Sequence, residues 1–193
     1  MERTTLVFWT VIACLLGTSA FYGFSAEQRR SKVQKTSGVV NSGDLLNLVQ
    51  VLDGDSILAS KAGEEPVGLR LVGIKAFDAK VEKDVMTPFA QAGVELLKRE
   101  LANKPLRVSL SASSSQDKYG RYLATIYADD QDISLQLIRQ GLALVYPVYP
   151  FPSLSFYLQE QELAHAKRRG FWSHKQASER AMAQMREWRS QSE

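Results

Sequence analysis

Four charged residues stand where the sequence turns. Asp55 closes Asp53-Gly54-Asp55, Arg70 lies midway along the apolar run VGLRLVGI, Asp78 sits in the segment after that run, and Arg121 follows DKYG. Turn-forming residues beside short apolar runs mark these positions as strand ends. In a twisted barrel, strand ends and their loops converge on one rim, so two guanidinium groups and two carboxylates can share a site. Two arginines suit a phosphate, because each offers a planar fork of N–H donors. One carboxylate can hold a divalent cation and another can activate water. Together these are the means to hydrolyse a phosphodiester. Spacing by itself leaves a second reading open, in which the four charges are a solvated surface.

The elements that must position these groups are short. Residues 45–52 (LLNLVQVL) form an aliphatic run that stops at the Asp53-Gly54-Asp55 turn, and SILAS resumes as a second strand. Gly63 marks the next turn, and VGLRLVGI is a third strand. LRVSLSA and RYLATIYA are a fourth and fifth, separated by the polar loop SSSQDKYG. Strands of this length joined by turns predict a small barrel. A helix follows the third strand, with Thr87 as N-cap, Pro88 at its first position, and Val94, Leu97 and Leu101 on one face. ISLQLIRQG reads as a short helix, YPVYPFPS as an irregular segment, and residues 155–169 as a helix stopped by Gly170. A last amphipathic stretch, residues 177–188, carries Ala181, Met185 and Trp188 at helical spacing.

The chain has 193 residues, 45% of them hydrophobic and 23% charged, with a net charge of +3. That is a globular composition with one domain plus appendages. The mild positive charge permits an anionic partner without demanding one. A single cysteine, Cys14, excludes an internal disulfide, and two histidines without thiolate neighbours exclude a Cys/His zinc cluster. Residues 4–26 carry no charge. As a helix they would span about 34 Å, enough for a hydrocarbon core of about 30 Å. A retained single-pass anchor, a cleaved signal peptide and a lipidated Cys14 are the three readings. Arg29, Arg30, Lys32 and Lys35 follow the segment, which favours a cytoplasmic or matrix side for what comes after. The expected organisation is a membrane anchor or signal at 1–26, a basic polar linker at 27–42, a folded domain at 43–174 and a C-terminal amphipathic helix at 175–193.

The blocks VLDGDSI, LRLVGIKAFD, DKYGRYLATIYA, LIRQGLALV and GFWS, in that order from about Leu45 to Ser173, resemble the staphylococcal-nuclease (thermonuclease-like) family. The resemblance implies a mainly β fold with helices (α+β): a five-stranded OB-fold barrel with three helices, preceded here by the transmembrane segment. It implies hydrolysis of DNA and RNA phosphodiester bonds with Ca2+. By the same resemblance Asp55 is the first carboxylate ligand of the metal, and Asp53 is a buried carboxylate beside it. Arg70 and Arg121 hold the phosphate and stabilise its transition state. Lys118, Tyr119 and Tyr149 line the nucleotide cleft.

The departures cluster after Arg70. Where the family typically reads Arg-Leu-x-Gly-Ile-Asp-Ala-Pro-Glu, this chain reads Arg70 to Asp78 as RLVGIKAFD. Lys75 replaces the second metal-ligating aspartate, Phe77 a loop-shaping proline, and Asp78 the water-handling glutamate. Pro147 stands where the family has a tyrosine over the nucleotide. An ammonium in place of a carboxylate opposes a divalent ion, and Lys75 is expected to pair with Asp55 or Asp78. Three functions stay open. The first is a membrane-anchored domain that binds nucleic acid or another phosphate ligand, with Ca2+-dependent phosphodiesterase activity lost or weak. The second is an active endonuclease. The third is a non-catalytic, membrane-tethered assembly protein whose C-terminal helix meets a protein partner.

Overall fold

Alternating burial shapes the strands. In the segment Tyr122–Ala128, Ala124, Ile126 and Ala128 point inward, and in Leu106–Leu110, Leu106 and Val108 do. This is the period of two expected of a strand with one face on a core. The computed structural model describes residues 38–111, 116–148 and 151–191, together with Trp9 and Ile12. The rest of the apolar segment 4–26, and Tyr149, lie outside the described residues. Among the described residues no helix is long and apolar enough to cross a membrane.

The strands are β1 (Leu45–Asp53), β2 (Ser56–Ser60), β3 (Val67–Leu71), β4 (Ile74–Ala76), β5 (Leu106–Leu110), β6 (Tyr122–Ala128), β7 (Gln131–Asp132) and β8 (Ala143–Val145). The main sheet runs β3-β2-β1-β5-β6-β7. Parallel pairing of β3 with β6 closes its first five strands into an OB-like barrel. Register shifts in β1 between Leu48 and Gln50, and between Val51 and Asp53, add the curvature that closure requires. Leu46, Ile57, Leu69, Val108 and Ile126 fill the interior. Val40 and Ser42, ahead of β1, also belong to the packed domain: Val40 is buried and Ser42 Oγ accepts the Leu110 N–H at 2.8 Å.

The run read as one third strand divides in two. Gly73 adopts φ +75° and breaks it, so that β3 stays in the barrel while β4 leaves to pair antiparallel with β8. That bend brings Arg70 and Lys75 to the Asp55 carboxylate from two different sheets.

Among the described residues four helices complete the α+β fold: α1 (Thr87–Leu101), α2 (Ile133–Arg139), α3 (Leu154–Ala166) and α4 (Lys175–Gln191). A 3-10 turn, Gly170–Ser173, joins the last two. Ala90, Gly93, Leu97 and Leu101 form the buried stripe of α1; Val94, read as part of it, is only half-buried. Thr87 is not the N-cap. Asp84 Oδ1 accepts the Met86 N–H at 2.8 Å, which starts the turn early and makes Met86 the cap. The Thr87 hydroxyl instead donates to the Glu82 carbonyl at 3.0 Å.

A second apolar cluster lies outside the barrel. Phe77, Met86, Phe171 and Trp172 meet Ala177, Ala181 and Trp188 of α4. Arg180 ties the same helix to Glu82 at 2.8 Å and to Asp84 at 3.0 Å. The apolar face of α4, expected to meet a protein partner, is thus spent on its own domain. Phe77, which stands in place of the family's loop-shaping proline, is buried in this cluster, edge-on to Phe171 with centroids 5.9 Å apart.

Candidate functional site

Strand register brings the arginines together. Ser56 lies opposite Arg70 across β2 and β3, and Arg70 lies opposite Leu123 across β3 and β6. Arg121 immediately precedes β6, so it arrives beside the same strands. A chain of polar contacts then links the two guanidinium groups. Asp117 Oδ2 accepts from Arg121 Nε at 2.7 Å and Nη2 at 2.6 Å. Arg121 Nη1 donates to Ser56 Oγ at 2.8 Å, and Ser56 Oγ donates to Asp55 Oδ1 at 3.0 Å. Arg70 Nη1 closes the chain on Asp55 Oδ1 at 2.7 Å. Arg70 is further held by the carbonyls of Asp55, at 3.1 Å, and Ile74, at 3.0 Å.

Local turns set these groups. Asp117 Oδ1 accepts the N–H groups of Tyr119, at 2.9 Å, and Arg121, at 3.0 Å. The same carboxylate therefore folds the DKYGR loop and grips its arginine. Gly54 lets the Asp53-Gly54-Asp55 turn press against β4: a Cβ there would stand 2.7 Å from that of Ala76. That approach allows the Ala76 N–H to reach Asp55 Oδ2 at 3.0 Å.

Asp55 is buried, with a relative exposure of 4%. Both carboxylate oxygens are engaged: Oδ1 by Arg70 and Ser56, Oδ2 by the Ala76 N–H and by Lys75, whose Nζ stands 4.0 Å away. Burial by itself would raise the Asp55 pKa, but the Arg70 guanidinium and the Lys75 ammonium outweigh it and hold the group below the ordinary carboxylate value. Asp53 behaves oppositely. Burial, and then the neighbouring Asp55 charge, push its carboxyl up to about 6. Of the two pairings expected for Lys75, the structure forms the one with Asp55. Among the described residues no group of three or more His, Cys, Asp or Glu side chains is placed to share a metal ion.

Two cavities flank Arg70. The larger, about 700 Å³, is lined by Arg70, Gly73, Lys118, Tyr119, Arg121 and Phe151. Lys118 Nζ and Arg121 Cζ lie 4.9 and 5.3 Å from the Tyr119 ring centroid, which gathers both cations at one aromatic ring. The smaller, about 470 Å³, is lined by Arg70, Lys75, Asp78, Tyr146, Gln184 and Trp188. The candidate residues therefore divide: Lys118, Tyr119 and Arg121 face one cavity, Lys75 and Asp78 the other, and Arg70 both. Asp78 Oδ1 accepts the Lys80 N–H at 2.8 Å and so helps to shape its own turn. Asp55 lies beneath, and Tyr149 is outside the described residues.

Sequence reasoning missed Ser56, Asp117 and Gln184. Asp117 stands four residues before Arg121 across a glycine turn, a spacing at which it could have been paired with it. Ser56 and Gln184 enter only through register and helix docking.

An OB-like barrel with two linked arginines over a buried aspartate defines a nuclease-type domain. The chain belongs to the staphylococcal nuclease homologue family, whose profile matches residues 68–174. It is similar to an uncharacterised endonuclease of Haemophilus influenzae, 31% identical over 126 residues, which cover 65% of each chain. An uncharacterised endonuclease of Escherichia coli is also 31% identical, over 127 residues that cover 65% of this chain and 75% of that one. The thermonuclease of Staphylococcus intermedius is 28% identical over 141 residues, 72% of this chain and 82% of the relative. The α4 helix lies beyond the family match.

Proposed function

We propose that this domain binds a phosphodiester of single-stranded nucleic acid through Arg70, Lys118 and Arg121, with calcium-dependent hydrolysis lost or weak. The observation that carries the reading is the state of Asp55. Its oxygens are committed to Arg70, Ser56 and the Ala76 N–H, and the Lys75 ammonium stands 4.0 Å from it. Calcium takes six to eight oxygen ligands, carboxylates prominent among them. Here one buried carboxylate faces two cations, so the residues present do not fit that ion. Lys75 instead supplies a fixed positive charge beside the phosphate-facing arginine. The uncharged segment 4–26 supports tethering of the domain to a membrane.

The test uses the full-length chain and a fluorescent oligonucleotide of DNA or RNA, with calcium or with chelator. The expected result is binding that weakens with salt, a slope of log K against log salt of about −2 for three phosphate contacts, no response to chelator, and little cleavage. Arg121→Ala or Lys118→Ala should weaken it. Calcium-stimulated cleavage that Arg121→Ala abolishes would replace this reading with that of an active endonuclease. Absence of binding at low salt would leave the tethered assembly protein.

A further inference from the structure

We infer that the smaller cavity is a second nucleoside subsite, so that the ligand is a chain crossing Arg70 with one nucleoside on each side of the bound phosphate. This rests on the phosphodiester reading above and deepens it. Arg70 and Tyr146 line both cavities, so the two compartments meet at the phosphate-facing arginine. A phosphodiester held there carries substituents in two directions, and each direction has a cavity of its own. A volume of about 470 Å³ lies within the range of small-ligand sites.

The chemistry of the wall suits a base and sugar better than another phosphate. Half-buried Tyr146 gives the pocket an aromatic side, backed edge to face by the buried Trp188 with centroids 4.9 Å apart. Lys75 and Arg70 are balanced by Asp78 and Glu82 on the same lining, and Glu82 is itself held by Arg180 at 2.8 Å. The charges on the lining itself therefore sum to zero. Gln184 Nε2 donates to Glu187 at 3.0 Å, which leaves its second N–H and its oxygen for a base edge or a sugar hydroxyl. Gln184 and Trp188 both come from α4, which lies outside the family match of residues 68–174. One wall of the subsite therefore comes from beyond the family match.

The experiment measures competition against the labelled oligonucleotide by three probes: the dinucleotide TpT, thymidine 3′-methylphosphate and thymidine 5′-methylphosphate. All three carry one phosphodiester charge, and the methyl esters lack one nucleoside. TpT should compete about tenfold better than either ester, as expected for one additional base against an aromatic side chain. Trp188→Leu should abolish that advantage. Gln184→Ala, at a half-exposed helix position, should reduce it about threefold without disturbing the apolar cluster. Equal competition by all three probes overturns the subsite and leaves the phosphodiester reading intact. A TpT advantage that survives both substitutions also overturns it, because the second nucleoside then lies elsewhere. An oligonucleotide that does not bind at all removes the phosphodiester reading, and the subsite with it.

Discussion

Reversing the charge at Lys75 probes the site most directly. In Lys75→Asp the attraction across 4.0 Å to Asp55 is lost and a repulsion takes its place. Two unit charges at that distance interact by about 1 kcal/mol in water and about 4 kcal/mol at an effective dielectric of 20. The Lys75 side chain is 53% exposed, so the attraction is worth about 1–2 kcal/mol after solvent screening. Loss plus repulsion should then cost roughly 2–4 kcal/mol, or roughly 5–15 °C in Tm for a domain of this size. Calcium should restore part of it in Lys75→Asp/Asp78→Glu, by about 2.7 kcal/mol at a hundredfold excess over Kd. Phe77 is left in place, because its ring is buried among the residues that hold α4. The assay is thermal unfolding with calcium, magnesium or chelator, with Lys75→Met as the neutral control. That control should lose only the attraction and gain no calcium response. The reasoning is refuted if Lys75→Asp unfolds at the wild-type temperature, or if calcium stabilises the wild type as much as the double variant.

Two further outcomes follow from the packing and the titration. Phe77→Ala should destabilise by about 3–4 kcal/mol and speed amide exchange in α4, whereas Arg180→Ala, whose side chain is 45% exposed, should cost under about 1 kcal/mol; equal effects would place the helix's anchorage in its ion pairs. Asp53 ionises near 3.8 when unfolded and at about 6 when folded, so its contribution to stability is present below about pH 4 and is lost as pH rises to about 6. Asp53→Asn keeps an oxygen for the Asp55 N–H, accepted now at 3.0 Å, and should raise stability at pH 7.5 by about 1–2 kcal/mol, discounted for its partial exposure. Urea midpoints at pH 7.5 and pH 4 check this, since the gain must vanish at the lower pH.

Much of the barrel is legible in the sequence. Short apolar runs with period two, broken at Asp53-Gly54-Asp55, Gly63 and DKYG, mark strands and turns because those signals act within a few residues. The same locality exposed Lys75, Phe77 and Asp78 as substitutions in a recognisable loop. It misled at Thr87, where the helix starts from Met86 with no side-chain cap, and across Gly73, where one apolar run feeds two sheets.

The sequence alone showed which side chains carry phosphate-binding chemistry, and its resemblance to the family set Lys75 where a metal ligand is expected. Only the tertiary structure decided how they are joined. Ser56 links Arg121 to Asp55 because β2, β3 and β6 are adjacent in the barrel, and no linear spacing records that register. Phe77 became a buried anchor, and Trp188 a wall beside Arg70, through the docking of α4. Arg180 meets Glu82 across 98 residues of chain. The face a helix buries depends on the surface that receives it, and that surface exists only once the distant segments have packed.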